Sequence, residues 1–157
     1  MICCPQFSRL NPVTKTNWEE VGVEPDIKVS QDKALETAQV MVSKKLAEKE
    51  KDPEFKAYYQ WQHDAYNAAL NPVSSADEAL RSYAGTHGPR TITWEDGSLF
   101  YQREGRPKMR MTPIADDYFM LDGIDYFRLK FMKEGNQVVA VEGHDMAGVT
   151  DKHFKSK

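Results

Sequence analysis

A chain of 157 residues makes one domain or two small ones, and with 40% hydrophobic and 29% charged side chains it is too apolar for wholesale disorder. Its formal net charge of −3, from 21 basic and 24 acidic residues, argues against an electrostatic nucleic-acid binder, which needs a basic excess to displace counterions. No apolar run approaches the roughly 20 residues of a membrane-spanning helix, and Met1-Ile2-Cys3-Cys4-Pro5 lacks the basic and apolar regions of a signal peptide.

The first zone, 1–29, holds Pro5, Pro12 and Pro25 and no helical period. Proline fixes φ and removes a donor, so an extended, irregular arm is expected. Cys3 and Cys4 are neighbours and cannot bridge without strain; they read as part of a frayed terminus.

The second zone, 30–82, is predicted helical. Ser30 is a fitting N-cap, and Leu35, Ala38, Val42 and Leu46 recur at helical spacing. Asp52-Pro53-Glu54 supplies cap, first-turn proline and first-turn acid for a second helix with a broad aromatic face, Phe55 to Ala69, closed by Asn71-Pro72. Ser75-Ala76-Asp77-Glu78 has the form of a capping box opening a short third helix through Arg81.

The third zone, 83–157, is predicted all-β; ten of the 17 aromatic residues fall after Ser82, where β-branched and aromatic residues recur in short runs. Alternating runs at Thr91–Trp94, Leu99–Tyr101, Lys108–Met111, Tyr118–Leu121, Tyr126–Met132, Val138–Glu142 and Val149–Phe154 are separated by turn signals including Asp96-Gly97, Asp122-Gly123 and Gly135-Asn136. Turns at intervals of about 8–12 residues mark a sandwich or barrel, and consecutive tight turns favour an up-and-down meander curling to protect its edges. The fold class expected is α+β: an extended arm, two to three helices, then a small antiparallel up-and-down β-barrel or curled meander, lipocalin-like.

Several constellations have a chemical reading. Ser30-Gln31-Asp32-Lys33 matches Ser-x-x-Lys, but a helix cap followed by a surface lysine accounts for it. His63, His87, His144 and His153 are scattered without metal-site spacing, and His144-Asp145 sits in a Gly-rich stretch expected to be a surface loop. With no glycine-rich phosphate loop either, no cofactor is expected. Arg103, Arg106, Lys108 and Arg110 form a basic cluster on a hairpin, suited to an anionic ligand or an acidic partner patch, or to plain edge protection. Trp94, Tyr101, Phe119, Phe127 and Phe131 are candidate lining for an apolar pocket, but so small a barrel is filled by its own side chains, which favours a core role for them.

The stretch Asn11-Pro12-Val13-Thr14-Lys15-Thr16-Asn17-Trp18-Glu19-Glu20-Val21-Gly22-Val23-Glu24-Pro25-Asp26-Ile27 resembles the last conserved segment of the carboxyl-terminal-processing (tail-specific) serine peptidase family, which includes the repeats of interphotoreceptor retinoid-binding protein. Asn17, Trp18, Glu19, Gly22, Pro25 and Asp26 carry the match, with Lys15 and Glu20 where the family usually has glycine. Tyr83 to Arg90 and the strands after it look like the β-rich tail of bacterial members.

The resemblance implies a C-terminal piece of a peptidase-like protein without its active site, since the family's serine nucleophile and lysine base lie upstream of the Asn-Trp-Glu segment. No catalytic residue is therefore expected here. The function expected is a non-catalytic accessory or interaction module, partnered by the peptidase core of a parent protein or by a second copy; family members are often periplasmic or secreted. The alternative is a lipocalin-like module for a small apolar ligand, and a cavity of about 300 Å³ or more would favour it.

Overall fold

The computed structural model describes residues 12–13 and 24–156. Of the segment carrying the peptidase resemblance, Asn17, Trp18, Glu19 and Gly22 lie outside the described residues. Pro25 and Asp26 are exposed in irregular chain, where Lys28 pairs with Glu24 at 2.5 Å.

Ser30 does not cap the first α-helix. A 3₁₀ turn, Gln31–Lys33, intervenes, and α1 (Ala34–Lys49) starts behind Lys33 with no side-chain cap. The buried positions of α1 also differ from the expected stripe. Ser43 and Ala47 are the residues withdrawn from solvent, while Leu35, Val42 and Leu46 are 67%, 56% and 41% exposed. Small residues on the inward face let two helices approach closely, and the larger apolar side chains are left outside. Helix α2 (Pro53–Leu70) begins as its sequence predicts: the Asp52 carboxylate accepts from the Glu54 and Phe55 amides at 2.9 and 3.3 Å, with Pro53 in the first turn. The capping box at Ser75 does not form. Helix α3 (Asp77–Tyr83) has Ala76 at its N-cap without a side-chain bond, and it runs two residues past Arg81.

Eight antiparallel strands follow in strict chain order: β1 (Gly85–His87), β2 (Arg90–Glu95), β3 (Ser98–Arg103), β4 (Met109–Ala115), β5 (Tyr118–Leu121), β6 (Ile124–Glu134), β7 (Gln137–Asp145) and β8 (Thr150–Phe154). This is the expected up-and-down barrel, with β1 an element the hydrophobic pattern does not mark. Asp96 and Gly97 both have positive φ (46° and 77°), the conformation that matches a two-residue hairpin turn to the twist of β2 and β3. The wall all but closes through one isolated bridge, His87 to Lys155, beside which the Ser156 amide donates to the Thr86 carbonyl at 2.8 Å.

Period-two alternation sends one side chain in two to the interior. Ile92, Leu99, Met111, Leu129 and Val141 fill it, together with a ring cluster in which Tyr83 lies 5.2 Å from Phe119 and 4.6 Å from Phe131. Tyr83 thereby plugs one end of the barrel with α3, and its hydroxyl donates to the Asp117 carboxylate, which also pairs with Lys133 at 2.5 Å.

Helix α2 lies on the outside of the barrel, held by Arg128 of β6. This side chain is 2% exposed, stacks 3.8 Å over the Trp61 ring, donates to the Trp61 carbonyl and pairs with Asp64 at 3.3 Å. The Trp61 indole in turn donates to the Asp125 carbonyl at 2.5 Å.

Candidate ligand-binding site

At the end of the barrel away from α3, the interior is not filled. Leu99 packs toward α3, but two residues on, Tyr101 faces an open recess of about 420 Å³, within the range typical of small-molecule pockets. Its floor and walls are Tyr101, Met109, Leu121, Ile124 and Phe127, with Tyr126 at the rim. Strand pairing explains the grouping: Tyr101 faces Met109 across β3 and β4, and Leu121 faces Ile124 across a bulge joining β5 to β6.

Arg103, Arg106 and Pro107 complete the lining. They belong to the turn between β3 and β4, which is fixed by the Arg106 amide donating to the Arg103 carbonyl at 2.9 Å and the Gln102 side chain donating to the Arg106 carbonyl at 3.2 Å. Among the described residues neither guanidinium has an ion-pair partner. The Tyr101 residue is only 4% exposed, yet its hydroxyl makes no hydrogen bond to any described residue.

The basic cluster is therefore divided. Lys108 pairs with Glu95 and sits over the Phe100 ring, and Arg110 lines a separate groove near α3 with Ser98 and Leu80. The five candidate rings divide as well. Phe119 and Phe131 are core, 1% and 3% exposed; Trp94 is half-buried under the Arg81 guanidinium, 4.1 Å from its centroid; only Tyr101 and Phe127 reach the recess.

Beside the mouth lies a polar cluster that sequence reasoning missed. Arg90 of β2, 1% exposed, forms two bonds to the Asp151 carboxylate of β8 at 2.5 and 2.6 Å and lies 5.4 Å over the Phe127 ring. Desolvation pushes the Asp151 carboxyl up, but bonding and charge from Arg90, helped by His153, outweigh it and hold the group below its ordinary 3.8. This fork crosses the barrel seam and sits above Gly143, where a Cβ would collide with Asp151, Arg90 and Phe127 together. His87, 0% exposed, has no hydrogen-bond partner for either ring nitrogen among the described residues. Burial holds its imidazole below the ordinary 6.5; the Tyr83 backbone opposes this, and the charges of Lys155, Arg90 and His153 act with burial. An arginine opening a strand after His-Gly-Pro was the one available signal for this cluster.

The remaining candidates have structural settings. Ser30 and Lys33 are both exposed, with no hydrogen bond between them. His144 and Asp145 are not in a surface loop; they end β7, half-buried, with His144 edge-on to Tyr118 at 5.8 Å. His63 approaches Ser43 at 3.3 Å, but its Nδ1 also faces the Val40 carbonyl at 3.1 Å and must donate there, while the Ser43 hydroxyl donates to the Gln39 carbonyl at 2.7 Å. A nitrogen that donates cannot act as base toward the hydroxyl, so this pair activates no nucleophile. Among the described residues no cluster of three metal-ligating side chains occurs, and no helix is long and apolar enough to cross a membrane.

Compared with known proteins, the chain matches no family model, no curated protein and no solved structure.

Proposed function

We propose that this chain is a non-catalytic binding module whose barrel holds a small apolar ligand at its open mouth. The observation that carries this reading is the 420 Å³ recess bounded by Tyr101, Met109, Leu121, Ile124 and Phe127, at the one end of the barrel that neither core rings nor a helix fills. Apolar walls with a few polar groups at the edge are what small-molecule sites require.

The test is titration with a neutral fluorescent probe, N-phenyl-1-naphthylamine, into wild type and the recess-filling variants Met109→Trp and Ile124→Trp. Saturable enhancement in wild type, lost in both variants at unchanged melting temperature, is expected. A groove of about 360 Å³ between α1 and α2, lined by Val42, Leu46, Tyr58 and Tyr66, is the competing site. Enhancement that survives both barrel variants and vanishes in Val42→Glu places the ligand there and overturns the reading.

A second reading, an accessory module of a tail-specific peptidase-like parent, is favoured by the Asn11–Ile27 segment. The exposed Leu35, Val42 and Leu46 stripe is the face that a peptidase core would cover. An open reading frame continuing upstream of Met1 into a Ser/Lys core supports it; a stop codon there removes it.

A further inference from the structure

We infer that the mouth of the barrel is selective for small organic acids, an aryl or short alkyl carboxylate whose apolar body enters the recess and whose carboxylate stays at the Arg103–Arg106 turn. This rests on the barrel-mouth reading above and adds the chemical class of the ligand.

Three observations converge. None of the residues lining the recess is acidic, while two of them are arginines without an ion-pair partner among the described residues. Both arginines flank one short turn whose backbone is tied by two hydrogen bonds, so both side chains start from the same side of the opening. The third is Tyr101, more than nine-tenths buried, lining the recess with a hydroxyl that no described residue engages. A phenol that opens into the recess without a protein partner is a donor left for an incoming acceptor. A carboxylate meets all three conditions: it accepts from planar guanidinium donors in a forked geometry and has a lone pair to spare for a phenol.

Other charges near the opening do not reverse this. Lys108 is neutralised by Glu95 and Arg90 by Asp151. Glu104 lies in the same turn but does not line the recess. The depth is set by the ring cluster beneath, since Phe119 and Phe131 close the interior at 1% and 3% exposure. The body of the ligand is thus a compact apolar group seated at the mouth rather than a chain threaded along the barrel axis.

Calorimetric titration of 4-phenylbutyrate and 4-phenylbutanol, which differ only at the polar end, tests the inference. The acid is expected to bind about tenfold more tightly than the alcohol at low ionic strength, a margin that shrinks as salt rises. Arg103→Gln with Arg106→Gln should erase the margin by weakening the acid far more than the alcohol, and Tyr101→Phe should reduce it. Equal affinity for acid and alcohol in wild type overturns the carboxylate inference while leaving the apolar-site reading intact. Absence of binding by both compounds overturns the two together. Both arginines are exposed, so the double variant should melt as wild type does; if it does not, the acid–alcohol margin and its salt dependence in wild type decide alone.

Discussion

Gly143 shows how one absent side chain can shape a barrel wall. It lies opposite Asp151 in the β7–β8 ladder, and the space its missing Cβ leaves is occupied by the Arg90 guanidinium, the Asp151 carboxylate and the Phe127 ring edge. Gly143→Val should break the fork and strand a buried arginine, lowering unfolding free energy by about 3 kcal/mol in a denaturant titration. Acid sensitivity offers a separate measurement. Asp151 and Asp117 have folded-state values below the ordinary 3.8: burial raises both, and Arg90 and Lys133 respectively pull them down further than burial lifts them. Their contribution is thus present above pH 3.8 and is lost as pH falls from there through the folded values. His87 acts in a higher window. Its folded value lies below 6.5, so the unfolded chain takes up a proton that the folded one refuses, and stability falls as pH drops below 6.5. His87→Leu should flatten the melting temperature between pH 7 and pH 5 relative to wild type; an unchanged slope would show that His87 is not the group responsible.

Among the elements, α2 is docked on the barrel through the paired side chains of Arg128 and Trp61. Arg128 stacks on Trp61, donates to its carbonyl and reaches Asp64. Arg128→Ala should cost about 2–3 kcal/mol, and Arg128→Lys should recover less than half, because an ammonium keeps the charge but cannot stack as a plane. Chemical denaturation followed by Trp fluorescence reports both. Elements governed by local rules were legible in the sequence. The Asp52-Pro53 start of α2, the hairpin turns at Asp96-Gly97, Asp122-Gly123 and Gly135-Asn136, and the strands between them follow from backbone preferences within a few residues. What failed to show was set by distant contacts. Strand β1 is three residues long and exists because β2 and the chain end at Lys155 flank it. The Leu35–Leu46 stripe reads as a buried face, yet α1 turns Ser43 and Ala47 inward because small side chains allow the closer helix–helix approach. Part of the candidate site was legible by residue type: Tyr101, Phe127 and Arg103 line the recess, whereas Phe119 and Phe131, read as lining or as core, are core. Periodicity tells which side of a strand faces inward, but not how far along the barrel axis a ring stands, and that height separates core from pocket.

At the level of the whole molecule, the barrel is plugged at one end by Tyr83 and α3 and open at the other, so a ligand bound as proposed would enter and leave at the Arg103 end. The wall itself is uneven. Strands β6 and β7 share a long ladder from Phe127–Asp145 to Glu134–Gln137, whereas among the described residues the backbone of β1 pairs with the segment after β8 at His87–Lys155 and Thr86–Ser156. Such a joint behaves like the unlaced edge of a corset. Deuterium should reach the amides of His87 and Ser156 orders of magnitude sooner than those of Leu129 and Val141, at a free energy well below that of global unfolding. The Arg90–Asp151 clasp spans that same gap, so its removal should quicken exchange along the fault line before it touches the far wall.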